Sequence, residues 1–302
     1  MNNKKISVVI SAYNEDSMIK DCLESVKWAD EIIFINNSSQ DNTINIAKKY
    51  TDNIFNRENN LMLNINKNFG FSKAKGEWIL SLDADERISP QLVDEIQKKI
   101  KEDDRFTSYN IPRKNIIFGK WIEHAGWYPD YQIRLFKNGK GRFKEEHVHE
   151  MITSEGDVGT LENSLTHYNY TSIRQFIHKH ANIYAPNEAD QLLKNGYIFS
   201  WQDVIRLPFK EFLSRYFARE GYKDGFHGLI LSLLMGFYHL VILSYIWEKK
   251  GFPQIVEANM IMVKDEIKKS SKDLNYWIND HDIKKEENII KKIYKKIKYK
   301  YL

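Results

Sequence analysis

Two aspartates follow a short apolar stretch at residues 78–82. The stretch contains no proline, and its composition is typical of a buried strand. Asp83 and Asp85 lie at its carboxyl end, where open α/β sheets bind their ligands. In an extended chain, residues two positions apart point the same way, so both carboxylates can converge on one hard divalent cation. The alternative is a solvated turn before a helix predicted at Ser89, because acidic side chains favour helix amino ends.

The elements that would position these aspartates alternate between strands and helices. The sequence predicts strands at 6–10, 31–35, 53–56 and 78–82, and helices at 18–26, 44–50 and 63–75. This alternation predicts parallel β-α-β units and an α/β fold with a Rossmann-like, mostly parallel sheet flanked by helices. No Gly-x-Gly-x-x-Gly pattern follows the first strand, which argues against a dinucleotide site of the dehydrogenase kind.

The later part of the chain changes from strands to helices. The predicted elements are a helix that begins at Pro90, strands at 109–118 and 132–136, a hairpin turn at Asn138-Gly139, and helices from residue 172 onward. We therefore expect an α/β domain at 1–170 and a helical extension at 171–302.

Composition excludes several classes of protein. The chain has 302 residues, of which 42% are hydrophobic and 13% aromatic, as in folded proteins and unlike disordered ones. Cys22 is the only cysteine, so an intramolecular disulfide framework is excluded and a cytosolic setting is expected. The apolar run at 6–10 is too short for a secretory signal peptide. The net charge is only +4, and eight lysines are concentrated at 284–302, which indicates a surface-binding tail and no nucleic-acid-binding fold.

Two segments near the end of the chain bear on membrane binding. Residues 226–247 contain no Lys, Arg, Asp or Glu, and 22 such residues are long enough to cross a bilayer. The histidines, glycines and serines within the segment favour a buried or interfacial helix over a spanning one. In the tail at 284–302, Ile289, Ile293, Ile297 and Tyr301 recur every four residues among the lysines, the pattern of a basic amphipathic helix on anionic lipid. The alternative for the tail is a charged, solvated helix end.

Seven short motifs, taken together and in order, resemble one known family. They are Ser11-Ala12-Tyr13-Asn14-Glu15, Cys22-Leu23-Glu24-Ser25-Val26, Trp28-Ala29-Asp30-Glu31-Ile32, Gly76-Glu77-Trp78, Leu82-Asp83-Ala84-Asp85-Glu86, Gly126-Trp127-Tyr128-Pro129-Asp130 with Gln132 and Arg134-Leu135-Phe136, and Val148-His149-Glu150. The chain is similar to family 2 glycosyltransferases of the inverting GT-A type, and most like the lipopolysaccharide core β-1,4-glucosyltransferase branch. The motifs cover about the first 170 residues, and a weaker match, Gly221-Tyr222-Lys223-Asp224-Gly225, lies in the helical part.

This resemblance implies a metal site at the two aspartates. Asp83 would contact the donor ribose and the cation, and Asp85 would bind the divalent cation, Mn²⁺ or Mg²⁺, directly. His149 would match a later histidine that some GT-A enzymes use as a further metal ligand. The alternative for His149 is an ordinary strand histidine that is hydrogen-bonded in the core.

The resemblance also implies a catalytic base. An inverting transfer needs a carboxylate that removes the proton from the acceptor hydroxyl as that hydroxyl attacks. Asp130 occupies the family's position for this base, on a loop four residues before Arg134. The alternative for Asp130 is a turn aspartate that follows Pro129. Glu150 is the second candidate for the base.

Four other side chains are candidates for binding the substrates. Arg134 would pair with the donor diphosphate or hold an acidic side chain in place. Lys67 would lie near the nucleotide, or else on a solvated helix face. Trp127 and Tyr128 offer flat faces that could stack on an acceptor sugar, although such residues usually pack in a core.

The ends of the first two predicted strands would contact the donor. Ala12, Tyr13 and Glu15 follow the first strand in a loop with the polar groups that a base and a ribose require. At the end of the second strand, Asn36 stands where the family usually has an aspartate that holds uracil. Asparagine both donates and accepts hydrogen bonds but carries no charge, so this position does not fix uridine as the base.

These observations lead to one functional hypothesis and two alternatives. The chain is expected to move a hexose, glucose, from UDP-glucose to a membrane-attached glycan such as lipopolysaccharide core, at the inner face of the cell membrane. The same fold could instead act on a protein or exopolysaccharide acceptor, or serve as a non-catalytic nucleotide-sugar binding module. Asp83, Asp85, Asp130 and His149 argue against the non-catalytic alternative, whereas Asn36 supports it.

Overall fold

A computed structural model gives the backbone of residues 5–59, 63–102, 105–146 and 150–300, with side chains up to residue 298. The predicted metal ligand His149 lies outside the described residues.

The chain divides into two compact units. The first unit comprises Met1–Ile116 and Tyr128–Asn169, and the second comprises Ile117–Trp127 and Tyr170–Leu302. The segment Ile117–Trp127 therefore groups with the helical part of the chain, whereas the sequence predicted one domain at 1–170.

The strands follow one another along the chain as far as residue 170. They are β1 Ile6–Ala12, β2 Glu31–Asn36, β3 Ile54–Asn56, β4 Trp78–Asp83, β5 Glu86–Arg87, β6 Ser108–Ile117, β7 Lys120–Trp121, β8 Asp130–Lys137, β9 Gly141–Arg142, β10 Thr153–Ser154, β11 Val158–Thr160 and β12 Leu165–Tyr170. Four helices alternate with them: α1 Ile19–Ser25, α2 Thr43–Ala47, α3 Leu63–Lys73 and α4 Pro90–Glu102.

The first unit is built on a mixed sheet with the order β3-β2-β1-β4-β8-β6-β12-β5. Neighbours among β3, β2, β1 and β4 are parallel. Strand β8 pairs antiparallel with both β4 and β6, and β12 pairs antiparallel with β5. The predicted α/β fold, with mostly parallel strands and flanking helices, is confirmed.

The sheet register places the predicted donor residues at one edge. Ala12 lies opposite Asn36 on one side of β1, and Ser11 lies opposite Asp83 on the other. The carboxyl ends of three parallel strands therefore meet, as the sequence predicted from the alternation of strands and helices.

Side chains along β1 alternate between two apolar layers, because successive strand residues point to opposite faces. Val8 and Ile10 pack with the buried faces of α1 and α4, whereas Val9 packs with Phe71 of α3 on the other face. Ile10 is fully buried, and burying such a side chain contributes roughly 1.5–3 kcal/mol relative to an exposed one. Helices on both faces thus hold the central strands rigidly.

The predicted hairpin at Asn138-Gly139 is wrong, although the turn itself is present. The Lys140 amide donates to the Lys137 carbonyl at 2.9 Å, and Gly139 has a φ of +81°. After the turn, however, β9 pairs with β10 in a separate two-stranded sheet. Gly141 crosses so close to the Phe136 ring that a Cβ atom there would lie 2.5 Å from it, so the chain runs over β8 instead of beside it.

The second unit is helical, as predicted. Its helical segments are α5 Ile173–Lys179, a π-helical turn His180–Tyr184, α6 Ala185–Lys194, α7 Asp203–Leu213, a second π-helical turn Ser214–Ala218, a 3₁₀ turn Gly221–Asp224, α8 Phe226–Lys249, α9 Met260–Lys285 and α10 Ile289–Lys300.

Helix α8 contains the long apolar segment. Among the described residues it is the one helix whose length and composition would let it cross a membrane. One side of α8 is buried against the other helices of the unit and includes Leu231, Ile242 and Ile246, whereas Phe226 and Phe237 are exposed. A core helix meets the same length and composition criterion, so the criterion does not distinguish a buried helix from a spanning one.

Helix α10 has an uncovered apolar stripe. Ile289, Ile293 and Ile297 are all more than half exposed, at 74%, 54% and 58%. They repeat every four residues on a helix that contains six of the tail's lysines at positions 291–300. The tail therefore forms the amphipathic helix that the sequence predicted as far as residue 298, and Tyr301 lies outside the described residues.

The segment Ile117–Trp127 is held by hydrogen bonds within the second unit. The buried Asp224 carboxylate accepts from the His124 amide at 2.8 Å. The Ala125 amide donates to the Arg219 carbonyl at 2.8 Å, and the Arg215 guanidinium donates to the Ala125 carbonyl at 2.8 Å. Three residues of the helical unit thus fix this loop.

Candidate active site

Asp83, at the end of β4, is held between two cations. Lys67 of α3 is ion-paired with Oδ1, and Arg134 Nη2 of β8 donates to Oδ2 at 2.8 Å. Burial alone would raise the pKa of Asp83, but the charges of Lys67 and Arg134 outweigh it and hold that pKa well below the usual range. The carboxylate is therefore ionised at neutral pH.

Glu86 extends this arrangement into the core. It is fully buried, and its Oε1 accepts from Arg134 Nη2 at 2.7 Å while Oε2 accepts from the Asp83 amide at 3.0 Å. Arg113 Nη1 lies 3.7 Å from Oε1. Arg134 therefore holds two acidic side chains in place, the second of the two roles that the sequence allowed. Lys67 is only 9% exposed, so it does not lie on a solvated helix face.

Asp130 is the first residue of β8, directly opposite Arg113 of β6 in the antiparallel register. Arg113 donates to Asp130 Oδ2 from Nε at 2.9 Å and from Nη2 at 2.5 Å. The other oxygen, Oδ1, accepts from Gln132 at 3.2 Å. Burial would raise the pKa of Asp130, but the Arg113 charge and these hydrogen bonds lower it below its usual value. Asp130 therefore starts a strand and is anchored there, unlike a turn aspartate.

Two polar side chains, those of Asn115 and His167, connect Asp130 to Asp85. Asn115 of β6 is fully buried, and its Nδ2 lies 3.3 Å from Asp130 Oδ2. Its Oδ1 lies 2.7 Å from His167 Nδ1 of β12. The other ring nitrogen of His167, Nε2, lies 3.5 Å from Asp85 Oδ2.

The sequence analysis missed Arg113, Asn115 and His167. A weak signal was present, because Arg113 and Asn115 are two apart within a predicted strand and so share one face. His167 is likewise two residues after the buried Leu165, so these two side chains share one face of their strand. The sequence did not reveal which strands would lie opposite these residues.

The carboxylate of Glu150, the second candidate for the base, has several hydrogen-bond partners. Its carboxylate accepts from the Glu145 amide at 2.7 Å and from the Glu146 amide, and Asn64 Nδ2 lies 3.4 Å from it. These contacts tie together the ends of the segment 145–150. Its catalytic role stays a prediction.

The residues around Asp85 fit a divalent cation. Its Oδ1 is buried and has no hydrogen-bond partner among the described residues, so a carboxylate oxygen is available to a hard cation. Among all residues that the structure describes, no three His, Cys, Asp or Glu side chains lie close enough together to hold a metal by themselves. Waters and the donor diphosphate would have to complete the coordination, as is usual for Mg²⁺.

Ala12 and Asn36 are the last residues of β1 and β2, whereas Tyr13 and Glu15 lie in the loop after β1, which contacts the loop after β2. Ala12 is buried, Tyr13 is 39% exposed, and the Glu15 amide donates to Thr43 Oγ1 at 2.8 Å. Asn36 is buried, donates from Nδ2 to Asn56 at 2.9 Å, and accepts from the Ser39 amide at 3.1 Å. The Asn36 side chain thus shapes its own loop, and its contact with a base stays a prediction.

Trp127 and Tyr128, the predicted acceptor residues, have partners of their own. Trp127 packs edge-on against Tyr170 with ring centroids 6.3 Å apart, and the Arg215 guanidinium lies 5.4 Å from its ring. The Tyr128 hydroxyl is 3.2 Å from Ser164 Oγ. These contacts are the core packing that the sequence allowed as the alternative, and sugar binding by either residue stays a prediction.

Comparison with known proteins identifies the family. The model for "Glycosyl transferase family 2" matches residues 7–155. An uncharacterized glycosyltransferase of Rickettsia typhi is 30% identical over 259 residues, which span 81% of this chain and 87% of that protein. The chain belongs to glycosyltransferase family 2. The predicted resemblance is thereby confirmed.

One further relative and one solved structure are similar to this glycosyltransferase over most of its length. The lipopolysaccharide core biosynthesis glycosyltransferase LpsC of Rhizobium meliloti is 26% identical over 262 residues, spanning 84% of this chain and 97% of that protein. The structure of S. aureus TarS in complex with UDP-GlcNAc overlaps 82% of this chain and 92% of that chain, with 14% identity and a TM-score of 0.44. Within the glycosyltransferase, the segment matched by the family model includes Asp83, Arg113 and Asp130 but ends before His167.

Proposed function

We propose that this glycosyltransferase is an inverting enzyme that transfers glucose from UDP-glucose to a membrane-attached cell-surface glycan such as lipopolysaccharide core. The observation that carries the proposal is the fixed, ionised carboxylate of Asp130. Arg113 orients it from the facing strand and keeps it anionic. An inverting transfer requires one such base at the acceptor hydroxyl.

The two oxygens of Asp130 have different surroundings. Among the residues that the structure describes, Oδ2 receives the two Arg113 donors and the Asn115 amide, whereas Oδ1 receives only the Gln132 contact at 3.2 Å. A carboxylate oxygen has two lone pairs, so Oδ1 retains capacity to accept a proton. Oδ1 is the atom that we assign as the base.

The proposed reaction is a single displacement. The acceptor hydroxyl gives its proton to Asp130 Oδ1 while its oxygen forms a bond to the anomeric carbon of the donor sugar. The bond from that carbon to the diphosphate oxygen breaks, and UDP leaves with the electron pair. Because attack comes from the face opposite the leaving group, the anomeric configuration inverts. Asp130 then releases the proton to solvent.

A divalent cation, Mn²⁺ or Mg²⁺, would offset the charge of the donor diphosphate when bound. Asp85 would hold it through the buried Oδ1, and Asp83 would contact the ribose and the cation. Lys67 and Arg134 orient Asp83 for this role from two sides. Ala12, Tyr13, Glu15 and Asn36 would line the nucleotide, and Trp127 with Tyr128 the acceptor.

One relative and one structural feature of the chain support a membrane-attached acceptor. The relative LpsC is named for lipopolysaccharide core biosynthesis. The lysine-rich face of α10 and its exposed isoleucine stripe suit an anionic lipid surface. We therefore place the enzyme in the cytoplasm, peripherally on the inner face of the cell membrane.

Slow donor hydrolysis tests the proposal without the acceptor. Water replaces the acceptor, so purified protein with UDP-glucose and Mn²⁺ should release glucose first as the β anomer, because the donor linkage is α. Proton NMR during the first minutes resolves the two anomers. Initial release of α-glucose would contradict inversion. Hydrolysis of another UDP-sugar but not of UDP-glucose would contradict the donor assignment, and deletion of the gene shows which surface glycan is lost.

A further inference from the structure

Five exposed apolar side chains lie in the turns that follow α6 and α8 and at the start of α9. Their exposed fractions run from 55% to 85%, and the residues are Ile198, Phe252, Val256, Met260 and Ile261. Residues from 199–202 and from 250–262 line one groove of about 500 Å³, so these turns lie side by side. We call the five side chains the apolar tip.

Ile198 is exposed because the residues on either side of it pack inward. Tyr197 and Phe199 pack against the apolar cluster of the helical unit that contains Ile246 of α8. The Tyr197 hydroxyl also donates to Asp203 Oδ2 at 2.6 Å. The exposure of Ile198 is therefore built into the fold.

Hydrogen bonds define the other two turns of the apolar tip. The Phe252 amide donates to the Trp247 carbonyl at 3.1 Å, and the two rings pack edge-on with centroids 4.9 Å apart. Trp247 Nε1 donates to the Pro253 carbonyl at 3.0 Å. At the start of α9, the Asn259 side chain accepts from the Ile261 amide at 3.1 Å and so caps the helix. Defined turns therefore present the apolar tip to its surroundings.

The size of the apolar tip favours lipid as its partner. A group of exposed apolar side chains marks a binding surface. Each partner in a standard protein interface contributes about 20–30 residues, many more than the tip contains. Apolar groups of peripheral membrane proteins, by contrast, need to penetrate a bilayer by only about 5–10 Å. Trp247, which is 39% exposed beside the tip, has the apolar body and polar end that suit the headgroup boundary.

A net positive charge lies beside the apolar tip. Trp201 and Met262 of the groove also line a second cavity, of about 350 Å³. The charged residues of this cavity are four cations and two acids: Arg206, Lys268, Lys269, Lys272, Asp265 and Glu266. Glu266 is paired with Arg206, whereas no ion pair in the described part of the chain involves Lys268 or Lys272. These lysines complement the phosphates of anionic lipids.

We propose that the apolar tip inserts into the acyl region of an anionic lipid bilayer. Lys268 lies about 12 Å along α9 from Met260, so its ammonium faces the headgroups when Met260 is inserted. Insertion of the tip adds a second point of attachment to that of α10. The inference rests on the membrane placement in the proposed function, but on neither the donor nor the reaction.

A fluorophore at the apolar tip tests insertion directly. Val256→Cys in the full-length protein is labelled with nitrobenzoxadiazole, and the native Cys22 stays unlabelled because it is fully buried. Val158→Cys, at a 40% exposed position of β11, is the matched control. Each labelled protein is mixed with vesicles of phosphatidylcholine and phosphatidylserine, with and without brominated acyl chains.

We expect the label at position 256 to brighten on vesicles and to be quenched by brominated chains, and the label at 158 to do neither. Protein that sediments with vesicles while the label at 256 stays unchanged would overturn the inference, because the tail alone would hold it. Absence of vesicle binding would also overturn it. Brightening without vesicles, growing with protein concentration, would assign the tip to a second copy of the chain instead.

Serine substitutions separate tip insertion from attraction by lysines. The tip variant carries Ile198→Ser, Val256→Ser and Met260→Ser. The control variant carries Leu63→Ser, Met151→Ser and Val158→Ser, all at exposed positions of the first unit. On neutral phosphatidylcholine vesicles, the tip variant should partition at least about thirtyfold more weakly than the parent, and the control variant as the parent does. Equal partition of the two variants would contradict the inference. If the tip inserts but the protein never cleaves a nucleotide sugar, the proposed function fails while this inference stands.

Discussion

Arg113 Nε and Nη2 both donate to one oxygen of Asp130, at 2.9 and 2.5 Å, from the strand directly opposite. Within the described part of the chain, the second oxygen has a single contact, from Gln132. A cation that sits on one oxygen orients the carboxylate and lowers its basicity at the same time. Arg113 therefore sets both the direction and the pKa of the candidate base.

The pH dependence of turnover should report this pairing. The base acts when ionised, and Arg113 keeps the pKa of Asp130 below its ordinary value. In Arg113→Gln that pKa should rise, so the acidic limb of the pH-rate profile should move to higher pH. Arg113→Lys keeps the charge and should shift the limb less. Superimposable profiles for the parent and Arg113→Gln would mean that Asp130 is not the titrating base.

Neutralising each candidate base in turn should separate their roles. Asp130→Asn should bind UDP-glucose as the parent does, with turnover lowered about a hundredfold or more, because only the proton transfer is lost. Glu150→Gln should instead weaken the apparent metal affinity, because Glu150 directly follows the predicted ligand His149 in the sequence and bonds the amides of Glu145 and Glu146. Titration calorimetry with single-turnover kinetics measures both effects. Near-normal turnover in Asp130→Asn, with turnover lost in Glu150→Gln despite normal binding, would reverse the assignment.

Removing Arg134 should destabilise the fold strongly. In Arg134→Met the carboxylates of Asp83 and Glu86 lose the guanidinium between them, and breaking a buried ion pair in this way costs about 3–5 kcal/mol. Urea unfolding measures the loss. Arg142→Met replaces an exposed arginine of β9 and should cost under about 0.5 kcal/mol. A similar small loss in both variants would show that the Arg134 pairs do not stabilise the fold.

The same network should shape stability at low pH. The pKa of Asp83 is depressed in the folded protein, so the unfolded chain binds its proton first as pH falls. The contribution of Asp83 is complete above the unfolded value of about 3.9 and is lost progressively below it. The free energy of unfolding should therefore drop more steeply below about pH 4 in the parent than in Arg134→Met. Parallel curves would contradict this origin.

The tail should carry membrane affinity. Removing residues 284–302 should release much of the protein from vesicles that contain anionic lipid, because each lysine near such a surface contributes about 1 kcal/mol. A milder variant replaces Lys291, Lys292 and Lys296 with glutamine. It keeps Lys295, which pairs with Asp282. Replacing three exposed lysines elsewhere is the control. Equal sedimentation of the parent, truncated and neutralised forms would exclude the tail as an anchor.

The parts of the site that the sequence predicted lie on parallel strands. Ala12, Asn36 and Asp83 meet because apolar runs joined by helices must form parallel pairs with aligned carboxyl ends. The pattern of residues within each run was sufficient for this prediction.

The parts that the sequence did not predict depend on antiparallel partners far away in the chain. Arg113 meets Asp130 and His167 meets Asp85 only through the registers of β6 with β8 and of β12 with β5. A local pattern gives a strand but not its partner. The turn at Asn138-Gly139 shows the same limit, because its residues predicted the turn correctly and the pairing of the next strand wrongly.

The segment Ile117–Trp127 has a consequence for the order in which the protein can mature during synthesis. Its buried Ile117 and Ile122 pack on Tyr170 and Met235, and its amides bond Asp224, all of which leave the ribosome later. The segment therefore cannot fold, and its apolar side chains stay exposed, until the helical unit has been translated. In a protein truncated after residue 170 these apolar side chains would stay exposed permanently, and chaperone capture or aggregation should follow.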